Sequence, residues 1–250
     1  MRLALCNEVL RHRDFASQCA YASRLGYDGL EVAPFTLADD PLALGAARRA
    51  EFRRTADAHG LAITGLHWLL VKPDGLSVTS ADAAVRARTV DAMKRIVELC
   101  VDLGGRYLVH GSPAQRRTPD GADGATARRW IAEALAAVAP VAEQAGVVYL
   151  IEPLPADETD QVNTLAEAAA LVREIGSPAL ATMLDTKSAS LAEAESPAAL
   201  IARWLPTGLL RHVQLNDRNR RAPGQGGDAF APVLAALLDG GYDGDLAVEP

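Results

Sequence analysis

Three carboxylates close apolar runs in this chain. Glu152 follows VVYLI, Asp185 follows ALATML and Glu249 follows DLAV. A carboxylate at the tip of a hydrophobic run is costly to bury without a partner. One divalent cation would partner all three at once, and oxygen donors favour a hard ion, Mn2+ or Mg2+. The plainer alternative is that each carboxylate caps the following helix or pairs with an arginine. Histidines fall at similar positions. His67 stands near the end of LAITGLHW and His110 near the end of RYLVHG, where both are expected to touch a substrate. His212 and Gln214 share one face of LLRHVQL, which then runs into the basic, glycine-rich loop NDRNRRAPGQG.

Such residues become a site only if the elements beneath them converge. Short runs rich in Val, Leu and Ile recur about every thirty residues, at 2–6, 29–33, 61–68, 106–111, 147–153, 179–186, 209–215 and 245–250. Segments with helical spacing lie between them, such as 14–26, 46–60 and 125–146, and several end in glycine (Gly26, Gly60, Gly104, Gly146) directly before the next run. Glycine just past a helix end accepts the left-handed conformation that terminates it. Eight strands alternating with seven helices imply a parallel sheet, and eight closes a (β/α)8 barrel, also called a TIM barrel, spanning 1–250 as a single domain. An open doubly wound sheet is the alternative. It calls for a glycine-rich turn after the first strand, whereas CNEVLRHRDF has no glycine. In a closed barrel the C-terminal ends of all eight strands meet at one mouth. The irregular segments 71–80, 113–124 and 153–163 each follow a strand and belong to that mouth. The chain stops after the eighth run, so the usual eighth helix is missing from it or another subunit covers that seam.

The formal net charge of −7 and a pI near 5.3 give no general attraction to nucleic acid or to an anionic membrane. Three scattered cysteines do not make a disulfide framework or a cysteine zinc site. The start, MRLALCNEVL, is too short and too soon charged for a signal peptide. No run reaches the ~18 apolar residues of a membrane span. A cytoplasmic protein with no membrane and no nucleic-acid partner is expected.

LIEP with Glu158 downstream, MLDT, HVQLNDRNRRAPGQG and the final VEP together resemble the xylose-isomerase-like sugar phosphate isomerase/epimerase superfamily. The likeness is strongest to ketose 3-epimerases, hydroxypyruvate isomerases and inosose-processing enzymes, and LGYDGLEV extends it towards the N-terminus. The resemblance implies metal ligands at Glu152, Asp185, Gln214 and Glu249, with Glu152 and Glu249 also the catalytic acid/base pair. It implies substrate contacts at Arg220 and Glu158, and assembly into a homo-oligomer. Two positions depart from the pattern. His-x-His is here His212-Val213-Gln214, and the histidine three residues after the Asp is Ser188. Gln214 still offers an amide oxygen to a hard ion. His212 lies one pleat, ~7 Å, deeper. It is expected to hydrogen-bond within the barrel, and is counted with Arg220, Glu158, His67 and His110 in the substrate-binding set.

Two carboxylates facing each other across a metal suit proton abstraction beside a carbonyl, because the metal stabilises the resulting enediolate. The expected activity is isomerisation or epimerisation of an α-hydroxyketone or keto-sugar. A dehydratase or β-eliminating lyase acting on a keto-sugar or inosose begins with the same step. An endonuclease IV-like DNA repair enzyme uses the same barrel and would also use His67, His110, Glu152 and Asp185, but its zinc site needs further histidines where Ser188 and Gln214 stand. A catalytically silent binding subunit is the remaining class.

Overall fold

The computed structural model describes Met1–Pro250. Eight parallel strands close into a barrel in sequence order: β1 (Arg2–Cys6), β2 (Gly29–Val32), β3 (Ala62–Leu66), β4 (Tyr107–His110), β5 (Val148–Ile151), β6 (Leu180–Asp185), β7 (Leu210–Leu215) and β8 (Asp245–Val248). β1 pairs with β8 to complete the ring, Ala4 opposite Ala247. The strands fall on the runs expected of them, most of them shorter by one or two residues at an end. His67, Glu152 and Glu249 thus stand just past the last ladder residue of their strands.

Eight α-helices surround the barrel: α1 (Phe15–Arg24), α2 (Ala46–Ala58), α3 (Ala83–Leu103), α4 (Gly124–Ala145), α5 (Leu165–Ile175), α6 (Thr186–Ala192), α7 (Pro197–Trp204) and α8 (Ala231–Asp239). The expectation of seven helices misses one, because the segment between β6 and β7 forms two, α6 and α7. No helix follows β8 in this chain; only Glu249 and Pro250 do. Side chains of Asp14, Asp82, Asp123, Thr164, Asp185 and Ser196 accept backbone N–H groups at helix starts. Each such cap contributes about 1 kcal/mol. Gly104 and Gly146 cap α3 and α4 in the left-handed conformation, which a Cβ would strain.

The largest apolar cluster joins the outward faces of β2 to β5 with the inner stripes of α2, α3 and α4, among them Leu30, Ile63, Met93, Ile96, Leu135 and Val138. A second cluster packs α7 and α8 on β6 to β8 through Leu200, Ile201, Val213, Leu237 and Leu246. No helix is long and apolar enough to cross a membrane.

Candidate active site

The strand ends enclose a cavity of about 370 Å3 at the barrel mouth. Its lining includes Glu152, Asp185 and Glu249 from β5, β6 and β8, together with Glu8, Glu158, Lys187, Ser188, Arg11 and Arg220. The capping alternative holds for one oxygen of one residue. Asp185 Oδ1 accepts the Ser188 N–H at 2.6 Å and starts α6, whereas the buried Oδ2 has no partner. The helix after Glu152 is capped by Thr164 instead. Glu249 Oε1 faces His67 Nδ1 at 3.5 Å.

Below this floor a second carboxylate organises the barrel interior. Glu31, fully buried on β2, accepts Gln214 Nε2 at 2.6 Å and the Tyr107 hydroxyl at 2.6 Å. His212 Nε2 lies 2.8 Å from its Oε2, and Cys6 Sγ donates to Oε1 at 3.6 Å. Burial alone would raise the pKa of Glu31, but the charges and hydrogen bonds of His212, His67 and Tyr107 hold it down at about 2. An ionised carboxylate only accepts hydrogen bonds. The amide of Gln214 must therefore turn its nitrogen to Glu31, and its oxygen, buried and without a partner, is left to face elsewhere.

The floor carboxylates raise one another's proton affinity. Burial, then the charges of Glu249 and Asp185, push Glu152 well above the usual carboxylate range, with Arg116 and Lys187 opposing. Burial raises Glu249 to about 7 against the pull of His67. His67 bridges two acids: its Nε2 stands 2.8 Å from Glu8 Oε2, and its pKa is raised because Glu8, Glu249 and Glu31 together outweigh its burial. Donor atoms of Glu8, His67 and Glu249 lie within 4.8 Å of one another, as do those of Cys6, Glu31 and His67; Glu152 and Asp185 belong to neither trio. Asp185 Oδ2 and Gln214 Oε1, on residues paired across β6 and β7, are buried oxygens without partners, donors of the kind that suits a hard divalent cation.

On one wall Glu158 Oε1 accepts both Lys187 Nζ and Arg220 Nη2, the latter at 3.1 Å. Arg116 is wholly buried behind Gly111 and Ser112, donating to the His110 carbonyl at 3.0 Å while its Nε and Nη2 find no partner. Burial lowers its pKa to about 10, and the nearby charges of Glu152 and Glu158 resist that fall.

The structure brings Glu152, Asp185, Glu249, Glu158 and Arg220 together on one cavity. Gln214 is not part of the lining; it pairs with Asp185 across β6 and β7. The three histidines of the substrate-binding set are placed differently from the acids. His67, His110 and His212 are each 1 % exposed or less and do not line the cavity. Each is already engaged: His67 by Glu8, His212 by Glu31, and His110 by the Tyr149 hydroxyl at 3.0 Å. Burial, assisted by Arg116, lowers the pKa of His110 to about 3, so it is neutral. Sequence reasoning placed Glu31 at a strand end but gave it no role in the site, and it did not single out Lys187 or Arg116. Glu31 carried a signal, an acid inside the four-residue apolar strand GLEV, whereas Lys187 and Arg116 sit in polar segments that read as solvent-facing.

A protein-family model described as "Xylose isomerase-like TIM barrel" matches residues 19–250. An L-ribulose 3-epimerase from Mesorhizobium japonicum is 32% identical over 183 residues, spanning 71% of this chain and 59% of that protein. A D-psicose 3-epimerase from Agrobacterium fabrum is 30% identical over 233 residues, spanning 91% of this chain and 76% of the relative. The fold also matches a crystal structure of D-psicose 3-epimerase in the presence of D-fructose. That likeness has a TM-score of 0.85 at 24% identity and covers all of this chain and 85% of the other. Relatives named as sugar epimerases, a closed eight-stranded barrel and a family match over most of its length agree, and the chain belongs to the xylose isomerase-like TIM barrel family.

Proposed function

We propose that the chain is a sugar isomerase or epimerase, moving a proton at the carbon beside the carbonyl of a keto-sugar. Glu152 and Glu249 are the acid/base pair in this reading. The observation that carries it is that these two glutamates, at the ends of β5 and β8, line one cavity with raised proton affinities, Glu152 well above the usual carboxylate range and Glu249 at about 7. A group that must both take and return a proton works best with a pKa near the working pH. The relatives' names, L-ribulose 3-epimerase and D-psicose 3-epimerase, support a ketose and its C3 position.

Glu152, Asp185, Gln214 and Glu249 are the residues that would hold a divalent cation, with Mn2+ or Mg2+ favoured over Zn2+ because every donor is oxygen. Such an ion supplies Lewis-acid polarisation of the carbonyl and its neighbouring hydroxyl, stabilising the enediolate. The protein's own part is to hold the two carboxyl groups ready and to tie down the substrate. Glu158 and Arg220 fix hydroxyl groups on one wall. Ionised Glu31 orients Gln214 from below, and His67 keeps Glu249 directed into the cavity. The net charge of −7 supports a small substrate rather than DNA. Free buried cysteines fit a reducing cytoplasm. Exposed Leu25, Leu234 and Leu238 support self-association, which sedimentation would read.

The test is proton NMR in D2O with added Mn2+ across ketoses, inososes and keto-glycosides. Solvent deuterium should enter at one carbon beside the carbonyl, with the sugar skeleton intact. Glu152→Gln and Glu249→Gln keep the shape but cannot accept a proton, so each should lower turnover at least 100-fold, the usual scale for a lost acid/base group. Near-normal kcat in either variant removes that residue from the mechanism, and loss of water from the product would make the enzyme a lyase.

A further inference from the structure

Across the barrel from β5 and β6 stands a second group of donors. Glu8 lies two residues past β1, and His67 and Glu249 directly follow β3 and β8. One donor atom from each falls within 4.8 Å of the others. Glu8 and Glu249 line the cavity, their side chains 13% and 16% exposed, and His67 is sealed behind them at 0%. Glu8 meets no lysine or arginine; its one ionic contact is His67, with Oε2 2.8 Å from the ring Nε2. An oxygen that close accepts a hydrogen bond if it lies along the N–H direction. Yet both ring nitrogens of His67 and Glu8 Oε2 are buried without a hydrogen-bond partner. The Glu8 oxygen therefore stands to the side of the ring nitrogen's axis. Two ligands of one ion stand in this way, because the ion itself, ~2.0–2.1 Å from an imidazole nitrogen, takes the position on the axis.

We propose that Glu8, His67 and Glu249 form a second metal site, one that takes Zn2+, and that an ion bound there inhibits the enzyme. Two carboxylates and an imidazole are a zinc donor set, whereas the oxygens of Glu152, Asp185 and Gln214 suit Mn2+ or Mg2+. Zinc binds a neutral imidazole, so its arrival releases the ring's proton. The ion holds the Glu249 oxygen that faces His67 and leaves this carboxylate between two dications. A carboxylate so placed no longer takes up a proton near neutral pH. The proposal rests on the keto-sugar reading for the activity that is lost, and on the trio alone for the binding.

The test uses the full chain loaded with Mn2+. Zn2+ is then added while calorimetry counts the ions bound, electron paramagnetic resonance reads any Mn2+ released, and deuterium incorporation into a ketose follows turnover. The parent protein should bind one further equivalent of Zn2+ with its Mn2+ retained, and turnover should fall about 100-fold, as for a lost acid/base group. Glu8→Gln should bind that equivalent roughly 10- to 100-fold more weakly, the scale of a lost metal contact, and keep its turnover at the same Zn2+ concentration. Asp185→Asn should do the reverse, losing Mn2+ and keeping the zinc. Release of Mn2+ in step with the loss of turnover places zinc in the floor site and overturns the proposal, as does equal zinc binding by Glu8→Gln. Zinc bound at the trio with turnover unchanged overturns the inhibition. Should Glu8→Gln not fold, the stoichiometry of the parent protein decides, since absence of a second equivalent overturns the proposal without any variant. If no ketose exchanges a proton, a zinc equivalent that depends on Glu8 and not on Asp185 upholds the site and removes the keto-sugar reading.

Discussion

The amide of Gln214 is gripped at one end only. Its nitrogen is fixed on Glu31 at 2.6 Å, and its oxygen is buried without a partner. A histidine at this position could keep the first contact through one ring N–H and present a nitrogen where the oxygen now lies, the carboxylate–histidine–metal arrangement that strengthens zinc sites. Gln214→His should therefore shift the preference from Mn2+ or Mg2+ towards Zn2+ or Co2+, tightening Zn2+ about 10-fold or more. Calorimetric titration of both proteins reads this directly. Indifference of metal choice to the substitution would mean that Gln214 does not touch the ion. Glu31 itself anchors five side chains, counting His67 Nδ1 at 3.5 Å. Removing one member of a buried ionic network leaves the others uncompensated, so Glu31→Gln should lower stability by about 3 kcal/mol in urea unfolding. A loss within that of an ordinary surface change would show that water replaces the carboxylate.

The strands set which atoms can meet, and their last residues were the most legible part of the sequence. A continuous apolar run ending in Glu or Asp marked β5, β6 and β8, because a buried strand permits few polar residues and each must have a reason. Glu158, Arg220 and the three main carboxylates follow from that rule and from the family pattern. For the histidines, a strand end reveals that a side chain is near the mouth, not which neighbour it meets first. Lys187 and Arg116 were invisible because loops conceal burial: each is a cation amid polar residues, and only the folded barrel shows water excluded around it. Glycine placement was equally silent. Gly111, just after β4, leaves the space that the Glu152 carboxylate occupies, and a Cβ there would overlap Glu152 Oε2. Gly111→Ala should thus displace Glu152, the proposed base, with little change in fold. We expect kcat/KM to fall about 100-fold, the cost of a displacement near 1 Å. Stability should fall by about 1–3 kcal/mol, as for an overpacked methyl group. Equal loss of both, with kcat unchanged per folded molecule, would show that Glu152 has room to move or is not the base.

At the scale of the whole molecule, the barrel buries groups in fixed charge states, and its stability must follow pH accordingly. His110 is the clearest case. It is buried on β4 beside the Tyr149 hydroxyl, and burial with the nearby Arg116 charge depresses its pKa to about 3. In the unfolded chain an ordinary histidine titrates near 6.5, so the unfolded state binds a proton over the interval between. Stability from keeping His110 neutral is therefore fully present above about pH 6.5 and is lost progressively as pH falls towards about 3, by at most ~1.4 kcal/mol per unit. Other groups titrate in the same interval, and a variant that lacks only this proton isolates its share. His110→Asn is expected to be less stable than the parent at pH 7, since it loses a packed ring. By pH 5 the gap should narrow by about 2 kcal/mol, because only the parent gains a proton on unfolding. Urea unfolding of both proteins at the two pH values measures the difference with no metal or substrate present. A gap that stays constant would place the pKa of His110 near its unfolded value. The interior beside Arg116 would then be wetter, or its positive charge better compensated, than the contacts around it imply.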